Sequence, residues 1–257
     1  MDIIIHEHIT TSLKLSFTGD NGEYFTINID GEFGNVYSVQ TSKTSLHITQ
    51  MFQTGHYIIT VRSGAKVAVA HSMVPAICRL TTGGCGFLVS HNEKTFLMTA
   101  NHCIPTPEIA DNCTAYFETC STKLDHKKFW KMSHRYCNGG SDFTCIGIPD
   151  DTVETLRKSG ITGHILSETT DVKVGDHCVL VHFNTYNGDR MLRTTCKIDS
   201  MESHCLRYNY LDGFPSSHCG SSGSPLYGFN KDNKLCITGL HVGKGKGTSI
   251  VCIRKDL

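Results

Sequence analysis

The stretch that decides the fold is Cys219-Gly220-Ser221-Ser222-Gly223-Ser224-Pro225-Leu226-Tyr227. Gly/Ser runs are usually flexible linkers. This one sits between a cysteine and a Pro-Leu-Tyr that opens a hydrophobic strand. The other reading is a tight turn that exposes one serine hydroxyl and aims backbone N–H groups at a common point. Two upstream stretches favour the turn. Phe96-Leu97-Met98-Thr99-Ala100-Asn101-His102-Cys103 is a hydrophobic strand ending in His102, and Ser141-Asp142-Phe143-Thr144-Cys145-Ile146 is an acid leading into a strand.

The chain order His102, Asp142, Ser222 is informative, because unrelated folds assemble the same three groups in different orders. The serine motif Gly220-x-Ser222-Gly223-Ser224 has no glycine two places after the serine, so it is not a nucleophile elbow of the α/β kind. With Gly84-Cys85-Gly86-Phe87-Leu88-Val89-Ser90 and Gly239-Leu240-His241-Val242-Gly243, these pieces stand in one order from about residue 72 to 253. On them the chain resembles the trypsin-like, chymotrypsin-fold serine endopeptidases, and within these the bacterial-type lysyl and glutamyl branch.

The resemblance implies an all-β fold, a chymotrypsin-like double six-stranded β-barrel over residues 71–257, hydrolysing protein or peptide substrates without a cofactor. It implies Ser222 as nucleophile, His102 as base and then acid, and Asp142 as the group that orients the imidazole. The oxyanion hole falls on the backbone N–H groups of Gly220 and Ser222. Asp150 and Asp151 are rival acids, but they read as helix caps.

Specificity is less sharply written. Ser216 and Ser217 lie about where trypsin-like enzymes carry an Asp at the base of the primary pocket, so a simple Lys/Arg preference lacks its acid. His241, with Gly243, sits where glutamyl endopeptidases and viral 3C-like proteases place a pocket histidine for Glu or Gln. Lysyl endopeptidases have a similar Leu-His-Gly run, so Lys stays as the alternative. Ser221 stands where zymogen-type relatives have the Asp that pairs with a freshly cleaved N-terminus. The site is therefore expected to be either constitutively formed or controlled by residues 1–70.

Those first 70 residues precede the motifs. Leu13/Leu15/Phe17 and Phe25/Ile27/Ile29 alternate with polar residues, the period of half-buried strands, with turn signals at Asp20-Asn21-Gly22 and Asp30-Gly31. Tyr57–Val61 reads as a further strand. The expectation is a small β domain, either a structural add-on or a docking site for a regulatory partner. Beyond it come strands at Val74–Leu80, Gly86–Ser90 and Thr95–Ala100, then a Cys-containing excursion over 104–140. A short helix is expected at Thr152–Ser159, capped by Asp151 and closed by Gly160. The second barrel would use Cys178–Phe183, Met191–Ile198, His204–Tyr210, Pro225–Phe229, Cys236–Val242 and Ser249–Ile253.

Composition bounds the rest. The 257 residues carry 24 basic and 24 acidic side chains, so no general attraction to nucleic acid or anionic membrane follows. No apolar run approaches the roughly 18 residues of a membrane span. The start, Met1-Asp2-Ile3-Ile4-Ile5-His6-Glu7, is interrupted by charge too early for a signal peptide, which favours a cytoplasmic protein over a secreted one that has lost its leader. The 13 cysteines include Cys85 and Cys103, placed where the resembled family often has a disulfide; without a leader, reduced thiols are the expectation. Four His-Cys pairs (102/103, 177/178, 204/205, 218/219) put neighbouring side chains on opposite faces of a strand, and no Cys-x-x-Cys occurs, so no metal site is expected. The rival functional classes are a catalytically silent binding module and a protease kept latent through residues 1–70.

Overall fold

The computed structural model describes all residues except 21, 33, 125–128, 134–141, 167–171, 185–189, 203–204, 212–219, 232–234 and 250–257, and the side chains of 129–133, 184 and 190. The chain divides into two compact units, Met1–Pro75 and Ala76–Leu257.

The first unit is built from β1 (Ile3–Ile9), β2 (Ser12–Phe17), β3 (Phe25–Gly31), β4 (Gly34–Thr41), β5 (Ser45–Thr49), β6 (Gly55–Ser63) and β7 (Lys66–Val74). They form a three-stranded sheet in the order β1-β2-β5 and a four-stranded sheet in the order β4-β3-β6-β7. The alternation in the sequence decides what is inside. Leu13 and Leu15 on β2, Ile27 and Ile29 on β3 and Ile59 and Val61 on β6 are fully buried in one shared core. Burying each such side chain is worth about 1.5–3 kcal/mol.

The second unit begins with β8 (Ile77–Leu80), β9 (Cys85–His91), β10 (Lys94–Thr99), α1 (Pro107–Asp111), β11 (Thr114–Tyr116), β12 (Ser121–Lys123), β13 (Phe129–Ser133) and β14 (Phe143–Gly147). The strand expected from Val74 to Leu80 is two strands, because Pro75 falls between β7 and β8 and cannot donate to a ladder. The sheet runs β12-β11-β8-β9-β10-β14-β13, with β15 (His164–Ile165) added beside β9. Its edge strands β12 and β13 are consecutive in the chain. Six residue steps reach at most about 22 Å, whereas six strand spacings laid flat span about 29 Å. The sheet must therefore curl, which makes it a half-barrel.

Between the halves lies α2 (Asp150–Lys158). It starts two residues earlier than the sequence signals suggest. Its N-cap is Pro149, with no side-chain cap bond, and Asp151 sits inside the first turn, where an acid favours the helix dipole. The second half is a closed barrel in the order β16-β17-β18-β21-β20-β19, made of β16 (His177–Asn184), β17 (Arg190–Met201), β18 (Cys205–Tyr210), β19 (Pro225–Phe229), β20 (Leu235–Gly243) and β21 (Lys246–Ser249). The last described strand runs from Lys246 to Ser249, where Lys244 (φ 50°) and Gly245 (φ 68°) turn the chain straight back along β20; of the strand expected at Ser249–Ile253, all but Ser249 lies outside the described residues. The architecture is all-β and matches a chymotrypsin-like double barrel, one barrel closed and one half-barrel. Among the described residues, no helix is long and apolar enough to cross a membrane.

Candidate active site

Antiparallel register brings the base to the acid. β10 pairs with β14 so that Thr99, the last residue of β10, faces Thr144, the second residue of β14. His102, just past β10, and Asp142, just before β14, therefore meet at the same end of the sheet. Asp142 is buried, at 4% exposure. Its Oδ2 accepts from His102 Nδ1 at 2.8 Å, and its Oδ1 accepts from the His102 backbone N–H at 3.2 Å. Asn101 Nδ2 donates to Thr144 Oγ1 at 3.0 Å and ties down the intervening corner. The Asp142 N–H donates to Thr248 Oγ1 on β21 at 3.1 Å, so the acid is fastened to the closed barrel as well. The bond to Asp142, followed by the interaction with Cys103, raises the His102 pKa to about 10.

The serine turn is gripped from both halves of the unit. Gly220 (φ 98°) and Gly223 (φ 85°) take left-handed conformations that a side chain disfavours. A Cβ on Gly223 would collide with the Cys85 carbonyl and stand 2.5 Å from Thr99 Oγ1. On the barrel side, the Gly223 N–H donates to the His241 carbonyl and the His241 N–H to the Ser224 carbonyl, each at 2.7 Å. On the half-barrel side, the Cys85 N–H donates to the Ser222 carbonyl at 2.7 Å, and Cys85 Sγ to the Gly220 carbonyl at 3.1 Å. Cys103 Sγ lies 3.8 Å from the Ser222 carbonyl. Cys85 and Cys103 are free thiols here, and burial pushes the Cys85 thiol up to about 11, so it stays protonated as a donor.

Of the three residues singled out by sequence, His102 and Asp142 meet directly, and the Ser222 carbonyl lies beside Cys103, the chain neighbour of His102. The Ser222 hydroxyl donates to the Val242 carbonyl at 3.1 Å and not to His102. A serine side chain moves between staggered wells about one bond. The backbone N–H groups of Gly220 and Ser222 donate to no acceptor among the described residues.

His241 lies near the C-terminal end of β20 with 1% of its surface exposed. Its Nδ1 shares a hydrogen bond with the Tyr208 hydroxyl on β18, and burial, then the charges of His182 and His102, lower its pKa to about 3. Gly243 follows at the strand end, beyond a register shift in the β20–β21 ladder. Ser216 and Ser217 lie outside the described residues.

No family model matches the chain, and no curated protein does. Solved structures with a similar chain path include Deg5, at a TM-score of 0.46 with 13% identity, covering 70% of this chain and 86% of that one. An inactive form of Rv3671c from M. tuberculosis H37Rv is similar at 0.44 with 14% identity, covering 68% and 80%. The NS6 protease from murine norovirus 1 is similar at 0.42 with 16% identity, covering 68% and 88%.

Several residues of the site carry no motif. Tyr208 sits in an ordinary alternating strand and Thr248 in a short strand of mostly small residues, and their partners lie on elements remote in sequence. His182 leaves a faint signal, a polar residue in the apolar run Val179-Leu180-Val181-His182-Phe183. A histidine there, in step with the buried Cys178 and Leu180, is inward and needs partners.

Proposed function

We propose that the protein is a serine endopeptidase acting on protein or peptide chains through an acyl-enzyme on Ser222. A serine hydroxyl is inert at neutral pH until a base takes its proton. In the working rotamer Ser222 Oγ leaves the Val242 carbonyl, gives its proton to His102 Nε2 and attacks the scissile carbonyl carbon. Asp142 holds the imidazole by Nδ1 and stabilises the imidazolium. The oxygen that gains charge is taken by the N–H groups of Gly220 and Ser222. His102 then protonates the leaving amine, and water repeats the sequence to free the acid. The observation that carries this reading is the Asp142–His102 pair, with the adjoining Cys103 lying on the Ser222 carbonyl of the glycine-flanked turn.

For the residue before the scissile bond we favour Gln over Glu, with Lys further behind. A histidine kept neutral well below pH 7 offers either one N–H or one lone pair. An amide answers both tautomers, whereas a carboxylate only accepts. The second reading is a latent protease regulated through residues 1–70; the Ser222 hydroxyl resting on Val242 favours it. A mixed peptide library incubated with wild type and Ser222→Ala, cut sites read by mass spectrometry, tests both. Cleavage after Gln by wild type and a loss on the order of a millionfold in Ser222→Ala are expected. Silence of both proteins would move the reading to the latent form.

A further inference from the structure

A second buried polar chain ends on the serine turn, one residue before Ser222. Ser221 has none of its surface exposed, and its Oγ lies 2.9 Å from Nδ1 of His182 on β16. The other ring nitrogen, Nε2, lies 3.3 Å from Thr194 Oγ1 on β17. His182 is fully buried and Thr194 is 6% exposed, so the chain runs through the interior of the closed barrel. A neutral imidazole donates at one nitrogen and accepts at the other, and a hydroxyl does either. Ser221–His182–Thr194 can therefore be satisfied throughout without a buried charge.

The place where this chain ends gives it a purpose. The turn from Gly220 to Gly223 is bounded by two glycines with positive φ, and glycine contributes the loosest backbone available. The N–H of Ser222 belongs to the planar peptide unit that begins at the Ser221 Cα, and that of Gly220 lies two units further back, in the unit that ends at the Gly220 Cα. A side chain that fixes Ser221 to the rigid barrel therefore limits the orientation of the Ser222 N–H directly, and that of the Gly220 N–H through the intervening peptide unit, whose carbonyl Cys85 Sγ holds. The bonds from Cys85 hold the turn by its carbonyls, at Gly220 and Ser222. They grip only the half-barrel side. Ser221 is the side chain that ties the same turn to the ladder between β16 and β17.

We propose that His182, braced by Thr194, is a positioning residue: through Ser221 it holds the turn so that the Gly220 and Ser222 N–H groups stand ready for the oxyanion before substrate arrives. This rests on the reading of Ser222 as nucleophile. It selects the constitutively formed site of the two modes the sequence left open. No ion pair with a newly made N-terminus is needed, because neutral hydrogen bonds within the barrel do the holding.

The test uses the full-length protein and two readouts, steady-state cleavage and binding of a peptide boronate, whose tetrahedral adduct on Ser222 needs the same N–H groups. Ser221→Ala removes one oxygen atom and keeps the backbone. It is expected to lower kcat about 10- to 100-fold, less than outright loss of an oxyanion donor, with KM within about twofold. Boronate affinity should fall by a similar factor. Thr238→Val removes a buried hydroxyl of the same barrel, whose Oγ1 donates to the Leu226 carbonyl at 3.1 Å. It should leave kcat within about twofold even if it costs as much stability. His182→Asn should follow Ser221→Ala, and the double variant should be no worse than the single ones. An active wild type with Ser221→Ala indistinguishable from it, or reduced only as Thr238→Val is, would overturn the positioning role alone. A wild type that neither cleaves nor binds the boronate would overturn the endopeptidase reading and this inference together.

Discussion

His102 at the β10–β14 corner and His241 inside the closed barrel are the same side chain in opposite surroundings. The His102 side chain is 45% exposed and shares a proton with a buried carboxylate; its pKa rises to about 10. His241 is buried against a tyrosine hydroxyl, and its pKa falls to about 3. The carboxylate decides the first and desolvation the second. A ring that gains and loses a proton suits a base, whereas a ring locked neutral suits recognition. In the proposed mechanism the half-barrel supplies the acid–base pair, and the closed barrel supplies the serine turn and His241.

The largest way to break this contrast is to remove the carboxylate. Asp142→Asn should lower kcat on the order of ten-thousandfold, because the ring loses both its orientation and the partner of its charge. The pH dependence sharpens the point. His102 must be neutral to accept the Ser222 proton, so with its pKa raised, activity should climb with pH well into the alkaline range. In Asp142→Asn, which lacks the first cause of the shift, the residual activity should reach its plateau at lower pH. Equal midpoints in the two profiles would contradict the assignment of that cause.

A smaller effect is expected on the other side. Tyr208→Phe leaves His241 buried and neutral but removes the hydroxyl that orients its ring. The KM for a peptide with Gln before the scissile bond should rise about tenfold, in line with one lost hydrogen bond, while kcat stays within about threefold. An unchanged KM would separate His241 from substrate recognition.

What the sequence made legible follows from local rules. The alternation in Leu13/Leu15/Phe17 and Phe25/Ile27/Ile29 named buried positions, since a strand exposes every second residue. The pairing of His102 with Asp142 was legible because each closes or opens a strand next to its neighbour in the sheet. The Ser221–His182–Thr194 and His241–Tyr208 contacts were not. Ser221–His182 and His241–Tyr208 join segments 39 and 33 residues apart, brought together only by the closed barrel, and His182–Thr194 depends on the register of the β16–β17 pair. The N-cap of α2 was misplaced because Asp150 and Asp151 are both plausible first-turn acids, and Pro149 supplies the extended backbone instead. The Ser222 hydroxyl on Val242 could not be read at all, since a rotamer depends on a carbonyl twenty residues away.

The central claim is that Ser222 is a nucleophile made reactive by His102. A fluorophosphonate probe tests it directly, because such a reagent phosphonylates an activated serine and ignores an ordinary one. Incubated with wild type and with His102→Ala, and mapped by peptide mass, it should add to Ser222 alone in wild type and to no residue in the variant. Labelling that survives His102→Ala, or none on Ser222 in wild type, would contradict the account.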